Sequence, residues 1–289
     1  MGFAPEYIAA RRTLLDALEA LADHLDSLVL VGAQAVYHHT GSADLQVPPM
    51  TTDGDLAINT ARLAENPEIG HTLRTAGFVP GPNPGHWVAS SDVAVDLMVV
   101  PHQAGTTSSS ARAARIAPHE KLTARIAHGL EPALIDNAQV TIAALDPADT
   151  RSATLRVAGP AALLTAKAIK LGERLEQGPT RVKEKDALDA YRLLAAVETV
   201  DLAVGFELHA VEVHAASASI EALALYRKHA TTPTATFPAL ATAAAAGDPT
   251  VGPALAALTN DLLAEVDDTV LRLAIADELS RETEELGYS

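Results

Sequence analysis

Asp53 and Asp55 flank Gly54 at the head of an apolar run, Thr51-Thr52-Asp53-Gly54-Asp55-Leu56-Ala57-Ile58. Alternate side chains of a β-strand share a face. Both carboxylates would therefore point the same way, with Gly54 turned to the other side. Two like charges held side by side repel, and burying them unpaired is costly. A divalent cation relieves both problems, and Mg²⁺ is typically held by one or two carboxylates together with substrate phosphates. For this stretch alone the alternative is an acidic turn leading into a strand, because a short motif match is only a hypothesis. A third carboxylate, Asp96, lies in the apolar run 93–100, on one face with Ala94 and Met98. Val93, Val95, Leu97 and Val99 take the opposite face. Charged residues are seldom buried unless paired, so Asp96 calls for a partner, unless it sits at a strand edge and meets solvent.

A second constellation is basic. Lys167, Lys170 and Arg174 fall at i, i+3 and i+7 of a helix expected over residues 160–177, beside an apolar stripe of Leu164, Ala168, Leu171 and Leu175. Arg181, Lys183 and Lys185 follow in a connector. The next helix is expected to carry Asp186 and Asp189 on its polar side and Leu188, Tyr191 and Ala195 on its apolar side. The chain has a formal net charge of -16, so six cations in one short segment stand out against it. Such a cluster suits a polyphosphate, because it neutralises charge on transferring phosphoryl groups. A solvated helix face, with an i,i+4 pair such as Lys185–Asp189, is the plainer reading.

These residues need elements to position them. Leu14, Leu18, Leu21 and Leu25 recur at helical spacing and predict a helix over 7–25. Leu28-Val29-Leu30-Val31 suits a buried strand, which Gly32 ends. Residues 33–39 have helical character, and a loop with Pro48-Pro49 spans 41–50. The acidic stretch then forms a second strand to about Asn59. A helix ends at Ala76 and is closed by Gly77, with Pro67 in its first turn. Residues 86–89 and 93–100 read as paired strands turned by Ser90-Ser91-Asp92. Residues 101–118 form a polar loop that contains residues 106–110, Arg112 and Arg115; a flexible basic lip is the alternative. Strands over 138–145 and 154–157 close the region, and Asp146-Pro147-Ala148-Asp149 reads as a linker or turn between domains. From Gly159 the chain is mostly helical, with breaks at residues 231–234 and 247–249 and two last helices over 251–279.

At 289 residues the chain exceeds the usual single-domain size. The expected class is α+β. A domain over 1–150 holds a small mixed sheet flanked by helices, and a helical domain fills 151–289. Hydrophobic residues make up 48% but aromatics only 3%, so alanine, leucine and valine must do most of the packing. Cysteine is absent, which excludes disulfides and thiolate metal sites. No apolar run is long enough to cross a bilayer, and the start lacks the pattern of a signal peptide. The expectation is a soluble cytoplasmic protein with no membrane partner. An acidic surface does not invite non-specific nucleic-acid binding, so a nucleic-acid partner would need a local basic patch. No zinc-protease His-Glu-x-x-His, P-loop lysine or Gly-x-Ser-x-Gly elbow occurs. His38 and His39 are helix neighbours that do not face one another, and Tyr37 and Trp87 read as core or pocket-wall aromatics.

Taken in order, Gly32-Ala33 at a strand-to-helix turn, Asp53-x-Asp55 and Asp96 on a later strand resemble the nucleotidyltransferase fold of DNA polymerase β-like enzymes. With Lys167, Arg174 and Lys185-Asp186-x-x-Asp189 added, residues 25–195 look like the AbiEii-type nucleotidyltransferases. These are toxin halves of type IV-like toxin–antitoxin pairs and include the MenT toxins. The resemblance implies that Asp53, Asp55 and Asp96 bind Mg²⁺ or Mn²⁺, and that Asp96 activates the acceptor hydroxyl. It implies a nucleotide site of Gly32, Ala33, Thr52, Lys170, Arg174, Lys185 and Asp186, with Lys167 on the phosphates and Asp189 facing the cleft. Two-metal chemistry would move a nucleoside monophosphate from a nucleoside triphosphate to an acceptor. That acceptor would be RNA, such as the tRNA 3′ end, docked on residues 174–185 and the loop with Arg112 and Arg115. A cognate antitoxin would be a further partner. Ala33 stands where the family has Ser or Gly, and the gap from Gly32 to Asp53 is long for the superfamily. Two alternatives remain: transfer to a protein or small hydroxyl compound, and a binding module that has lost the chemistry.

Overall fold

The computed structural model describes residues 3–41, 47, 50–108, 110–178 and 181–285, with residues 284 and 285 described by backbone only. Pro48-Pro49 with most of the expected loop 41–50, and Ser109 of the polar loop, lie outside the described residues. The elements in chain order are α1 (Pro5–Ala20), β1 (Leu28–Val31), α2 (Gly32–Thr40), β2 (Asp53–Ile58), α3 (Ile69–Thr75), β3 (Val79–Pro80), β4 (His86–Val88), β5 (Ala94–Val99), β6 (Arg125–Ile126), β7 (Asn137–Ala143) and β8 (Ser152–Ala158). There follow α4 (Pro160–Gln177), α5 (Glu184–Ala196), α6 (Thr199–Leu208), α7 (Val213–His229), α8 (Thr236–Ala244), α9 (Val251–Glu265) and α10 (Thr269–Glu285). The class is α+β. The chain divides into two compact units: Met1–His38, Pro48–Ala127 and Asn137–Ala158 in one, and His39–Val47, His128–Asp136 and Gly159–Ser289 in the other.

The first unit is built on one mixed sheet, in the order β3-β4-β5-β2-β1-β8-β7, with β6 paired to β5. Its centre follows from sequence. All four residues of β1 are apolar and buried, which suits a strand covered on both faces. β2 runs antiparallel to β1 and parallel to β5. A Cβ at Gly54 would sit 3.2 Å from Leu14 of α1, so the missing side chain lets that helix lie close on one face of β2. Asp53 and Asp55 are left for the other face. Leu14, Leu18 and Leu21 are buried as their spacing predicts, but α1 stops at Ala20 and a short tight helical turn, Ala22–Ser27, leaves Leu25 only half-buried.

Two expectations change. Pro67 lies ahead of α3 rather than in its first turn. Glu68 caps that helix, its carboxylate accepting from the backbone N–H groups of Gly70 and His71. Residues 146–149, expected between domains, turn β7 into its antiparallel neighbour β8 inside the first unit's sheet. Arg12 meets Asp146 at 2.7 Å and Arg151 meets Asp149 at 2.8 Å there, so the turn's charge is locally neutralised.

The second unit is helical, from α4 to α10, around Leu164, Ile169, Leu171, Leu193, Phe206, Tyr226 and Phe237. The Tyr226 hydroxyl donates to the Leu164 carbonyl at 3.1 Å, which satisfies a phenol that is otherwise fully buried. Among the described residues no helix is long and apolar enough to cross a membrane.

Candidate functional site

The three predicted acids of the first unit converge because of strand register. β2 and β5 run parallel with Asp55 directly abreast of Asp96 and Asp53 abreast of Ala94. On the other side Val31, the last residue of β1, pairs with Asp55, and the chain then turns at Gly32 into α2. Gly32 has φ +67, and a Cβ there would overlap the Asp55 carboxylate. Only glycine takes that conformation without strain and leaves that space open. The first backbone N–H groups of α2, from Gly32 and Ala33 onward, therefore start beside Asp55, at a helix end whose donors lack intrahelical partners.

Each acid has its own surroundings. Asp53 Oδ1 accepts from the Thr51 hydroxyl at 2.7 Å, and Thr51 is buried. The Asp53 carbonyl accepts from Gln34 Nε2 at 3.0 Å, and Gln34 Oε1 accepts from Arg11 Nε at 2.8 Å. Arg11 is itself buried, with Nη1 donating to the Ala143 carbonyl and Nη2 to the Tyr7 hydroxyl. Burial pulls the Arg11 pKa down, and the Tyr7 contact opposes this only in part. Asp96 Oδ1 lies 2.6 Å from His86 Nδ1, and Oδ2 lies 3.6 Å from Arg125. Asp53, Asp55 and Asp96 are all half-buried, so they keep access to solvent, while Thr52 is exposed. The carboxylate oxygens of the three acids do not all lie within 4.8 Å of one another. The donor set nevertheless fits a hard cation: ionisable oxygens, two from one face of one strand and one from its neighbour. Asp96 is engaged by the His86 ring and the Arg125 guanidinium.

The basic constellation of the second unit differs from expectation. Lys167 is not on a solvated face but 4% exposed, and Asp186 and Asp189 are buried instead of polar-side residues. Lys167 Nζ lies 2.9 Å from Asp186 Oδ1 and 2.6 Å from Asp189 Oδ2. Arg174 reaches Asp186 Oδ2 at 2.5 Å and Lys170 reaches Oδ1 at 3.4 Å. The reason is mutual: a buried ion must be paired, so the two acids of α5 turn inward to the lysine of α4. Ala195, expected on the apolar side, is exposed, as are Lys183 and Lys185. Burial alone would lower the Lys167 pKa, but the charges of Asp186 and Asp189 outweigh it and raise it. Burial would raise the Asp186 pKa, and Lys167, Lys170 and Arg174 bring it well below the usual carboxylate range. Asp189 Oδ1 is buried with no hydrogen-bond partner. Lys167 and Asp189 are thus committed to one another, and Lys170 keeps the most exposure, at 42% of its side chain.

Sequence reasoning missed His86, Arg125, Thr51, Gln34 and Arg11. The first had a signal. A hairpin centred on Ser91 pairs residues whose numbers are equidistant from it, and His86 and Asp96 are such a pair, as the antiparallel register of β4 and β5 shows. Arg125 comes from β6, whose pairing with β5 is non-local and leaves no mark in sequence. Trp87 is a fully buried core residue whose indole donates to the Thr123 carbonyl at 3.0 Å, and Tyr37 is buried with its hydroxyl donating to the Met50 carbonyl. Arg112 and Arg115 are both exposed.

The second unit holds another arrangement that sequence did not flag. His209 Nδ1 is 2.6 Å from the Ser219 hydroxyl and Nε2 is 3.2 Å from Asp136 Oδ2. The order Ser–His–Asp is that of a hydrolase triad, but Ser219 and His209 are 0% exposed, so no substrate can reach the hydroxyl. Asp136 also accepts from the Ala162 N–H at 3.1 Å in the first turn of α4, which makes the chain a structural pin on that helix. No protein-family model matches the chain, and neither a curated protein nor a solved structure matches it.

Proposed function

We propose that the first unit carries a metal-dependent nucleotidyltransferase site, and that the protein moves a nucleoside monophosphate from a nucleoside triphosphate to an acceptor hydroxyl with release of pyrophosphate. One observation carries the reading: Asp55 is abreast of Asp96 on parallel strands, with Asp53 two residues away on the same face and the Gly32 turn seated on Asp55. Like-charged carboxylates gathered beside a helix N-terminus suit a divalent cation and a polyanion together. Asp53 and Asp55 would hold Mg²⁺, which when bound supplies charge neutralisation at the phosphates. The N–H groups at the start of α2 receive phosphate oxygens. Asp96 Oδ2 takes the proton of the acceptor hydroxyl as that oxygen attacks the α-phosphorus and the bond to pyrophosphate breaks. His86, on Oδ1, fixes the rotamer in which it does so. Arg11 and Gln34 hold the Asp53 carbonyl from behind.

The proposal leaves Lys167 and Asp189 out of the chemistry, because each neutralises the other in the helical unit. The acceptor in this reading is RNA, with the tRNA 3′ end first. Its support is the resemblance to AbiEii-type toxins, together with two exposed arginines, Arg112 and Arg115, in a chain of otherwise acidic balance. The test is incubation with each radiolabelled nucleoside triphosphate, Mg²⁺ and total tRNA. Label should enter tRNA with the native protein and not with Asp55→Asn. Absence of transfer with every triphosphate, or equal transfer by the variant, would discard the reading. Nucleotide uptake without a Mg²⁺ requirement would favour an inactive binding module instead.

A further inference from the structure

Among the helices of the second unit, α6 has two apolar faces. Leu202, Ala203 and Phe206 are buried. Val200, Val204 and Leu208, spaced i, i+4 and i+8, face outward at 55%, 59% and 43% exposure, and Val211 just beyond the helix end is 70% exposed. A solvated helix face has no use for valine, which is a mediocre helix former and costs hydration of apolar surface. Apolar residues all round a helix mark one that is covered on both sides, and a contiguous exposed patch marks an interaction site. The stripe cannot rotate inward. Gly205 sits so close to α4 that a Cβ there would come within 2.6 Å of the Ala161 Cβ, which fixes which face α6 buries.

The charges beside the stripe say what it can meet. At 100° per residue Val200, Val204 and Leu208 span an arc of 80°. Glu207 lies just outside one edge of that arc and Asp201 just outside the other, and both are exposed. Acids bordering an apolar seam choose a partner with bases at its own borders, as flanking charges do in paired helices. A second copy of this chain would set acid against acid, in a protein of formal net charge -16.

We propose that the outer face of α6 docks an amphipathic helix of another protein, one whose apolar stripe is bordered by lysine or arginine. The proposal is independent of the nucleotidyltransfer reading. Val204 anchors the centre of the seam, and Asp201 and Glu207 select the partner's charge.

The probe is a synthetic helical peptide with a leucine stripe bordered by lysines, paired with a twin bordered by glutamates. Titration of the full-length chain by fluorescence anisotropy should give saturable binding of the lysine peptide and none of its twin. Amide hydrogen exchange should slow in α6 on binding. Val204→Asp should weaken binding by at least about tenfold while leaving the circular dichroism and melting temperature in place. The double reversal Asp201→Lys with Glu207→Lys should shift preference to the glutamate peptide, a gain that misfolding cannot imitate. Equal binding of the lysine peptide by the native chain and Val204→Asp would mean general attraction to an acidic protein and would overturn the proposal. So would absence of binding at low salt. Self-association of the native chain that Val204→Asp abolishes would assign the face to a second copy and overturn it as well.

Discussion

Two groups of acids, one in each unit, invite the same functional reading and are built on opposite terms. In the first unit Asp53, Asp55 and Asp96 are brought together by strand register and left half-buried, with one turn of backbone donors beside them. In the second, Asp186 and Asp189 are sunk against Lys167, with Arg174 and Lys170 closing the cluster. Like charges gathered within reach of solvent leave a place for a cation to act. Opposite charges that saturate one another leave little. A concentration of ionisable residues is therefore a poor guide to a site, and the sign balance within reach of solvent is a better one.

The largest effect belongs to the saturated cluster. Lys167→Met keeps the length of the side chain but leaves Asp186 and Asp189 buried with less positive charge. Removing one member of a buried ion network costs about 3–5 kcal/mol. Urea denaturation should show that loss, with the m-value unchanged. If the variant is as stable as the native protein, the cluster is not structural and the lysine is free for a ligand after all.

The open cluster should respond the other way. Asp55→Asn should reduce transfer by more than about 100-fold while the melting temperature holds or rises, since relief of repulsion at a functional site commonly stabilises. A fall in stability with activity retained would exchange the roles of the two regions. Gly32→Ala tests the seat beneath the same carboxylate. It should cost about 1–3 kcal/mol of stability, from positive φ and from displacement of Asp55, and should impair transfer as a consequence. Smaller again is His86→Gln. Its amide can still donate to Asp96, so kcat should fall by about tenfold with KM for the triphosphate little changed. A change confined to KM would place His86 in binding instead.

Legibility in the sequence divides along the same line. Alternation on a strand is a local property. Asp53 and Asp55 on one face, Gly32 at the turn and the apolar run of β1 are accordingly where residue order alone would put them. The hairpin that sets His86 against Asp96 is countable from its turn at Ser91. The helices from Gly159 onward follow from composition and breaks. Helical periodicity failed on Lys167, Asp186 and Asp189, because a charged residue at a core position looks like a register error until its partner on another helix is known. Arg11, Gln34 and Arg125 escaped for a similar reason: each acts across strands or elements far apart in the chain, where spacing carries no information. The turn at residues 146–149 has the composition of a linker, and only strand pairing distinguishes a hairpin from a boundary.

The least effect comes from a third group of ionisable side chains, inside the second unit, and pH isolates it. His128 Nδ1 lies 2.8 Å from Glu131 and Nε2 lies 2.9 Å from Glu221, on α7. Glu131 is buried and its second oxygen accepts from the Gly129 N–H. The hydrogen bond to Glu131 raises the His128 pKa, burial opposes it, and the remaining carboxylate attraction brings it to about 9. In the unfolded chain a histidine titrates near 6.5. The folded pKa is the higher one, so the stabilisation is complete below roughly pH 6.5 and is lost as pH rises through about 9. Lys167 is raised and Asp186 depressed, so neither changes charge in the folded protein over this window. Between roughly pH 7 and pH 10 the native protein should therefore lose stability, and His128→Gln should lose less over the same range. The difference between the two pH profiles, measured by urea denaturation, assigns the slope to the histidine. Equal slopes would assign the loss to other titrating groups and overturn the role given to His128.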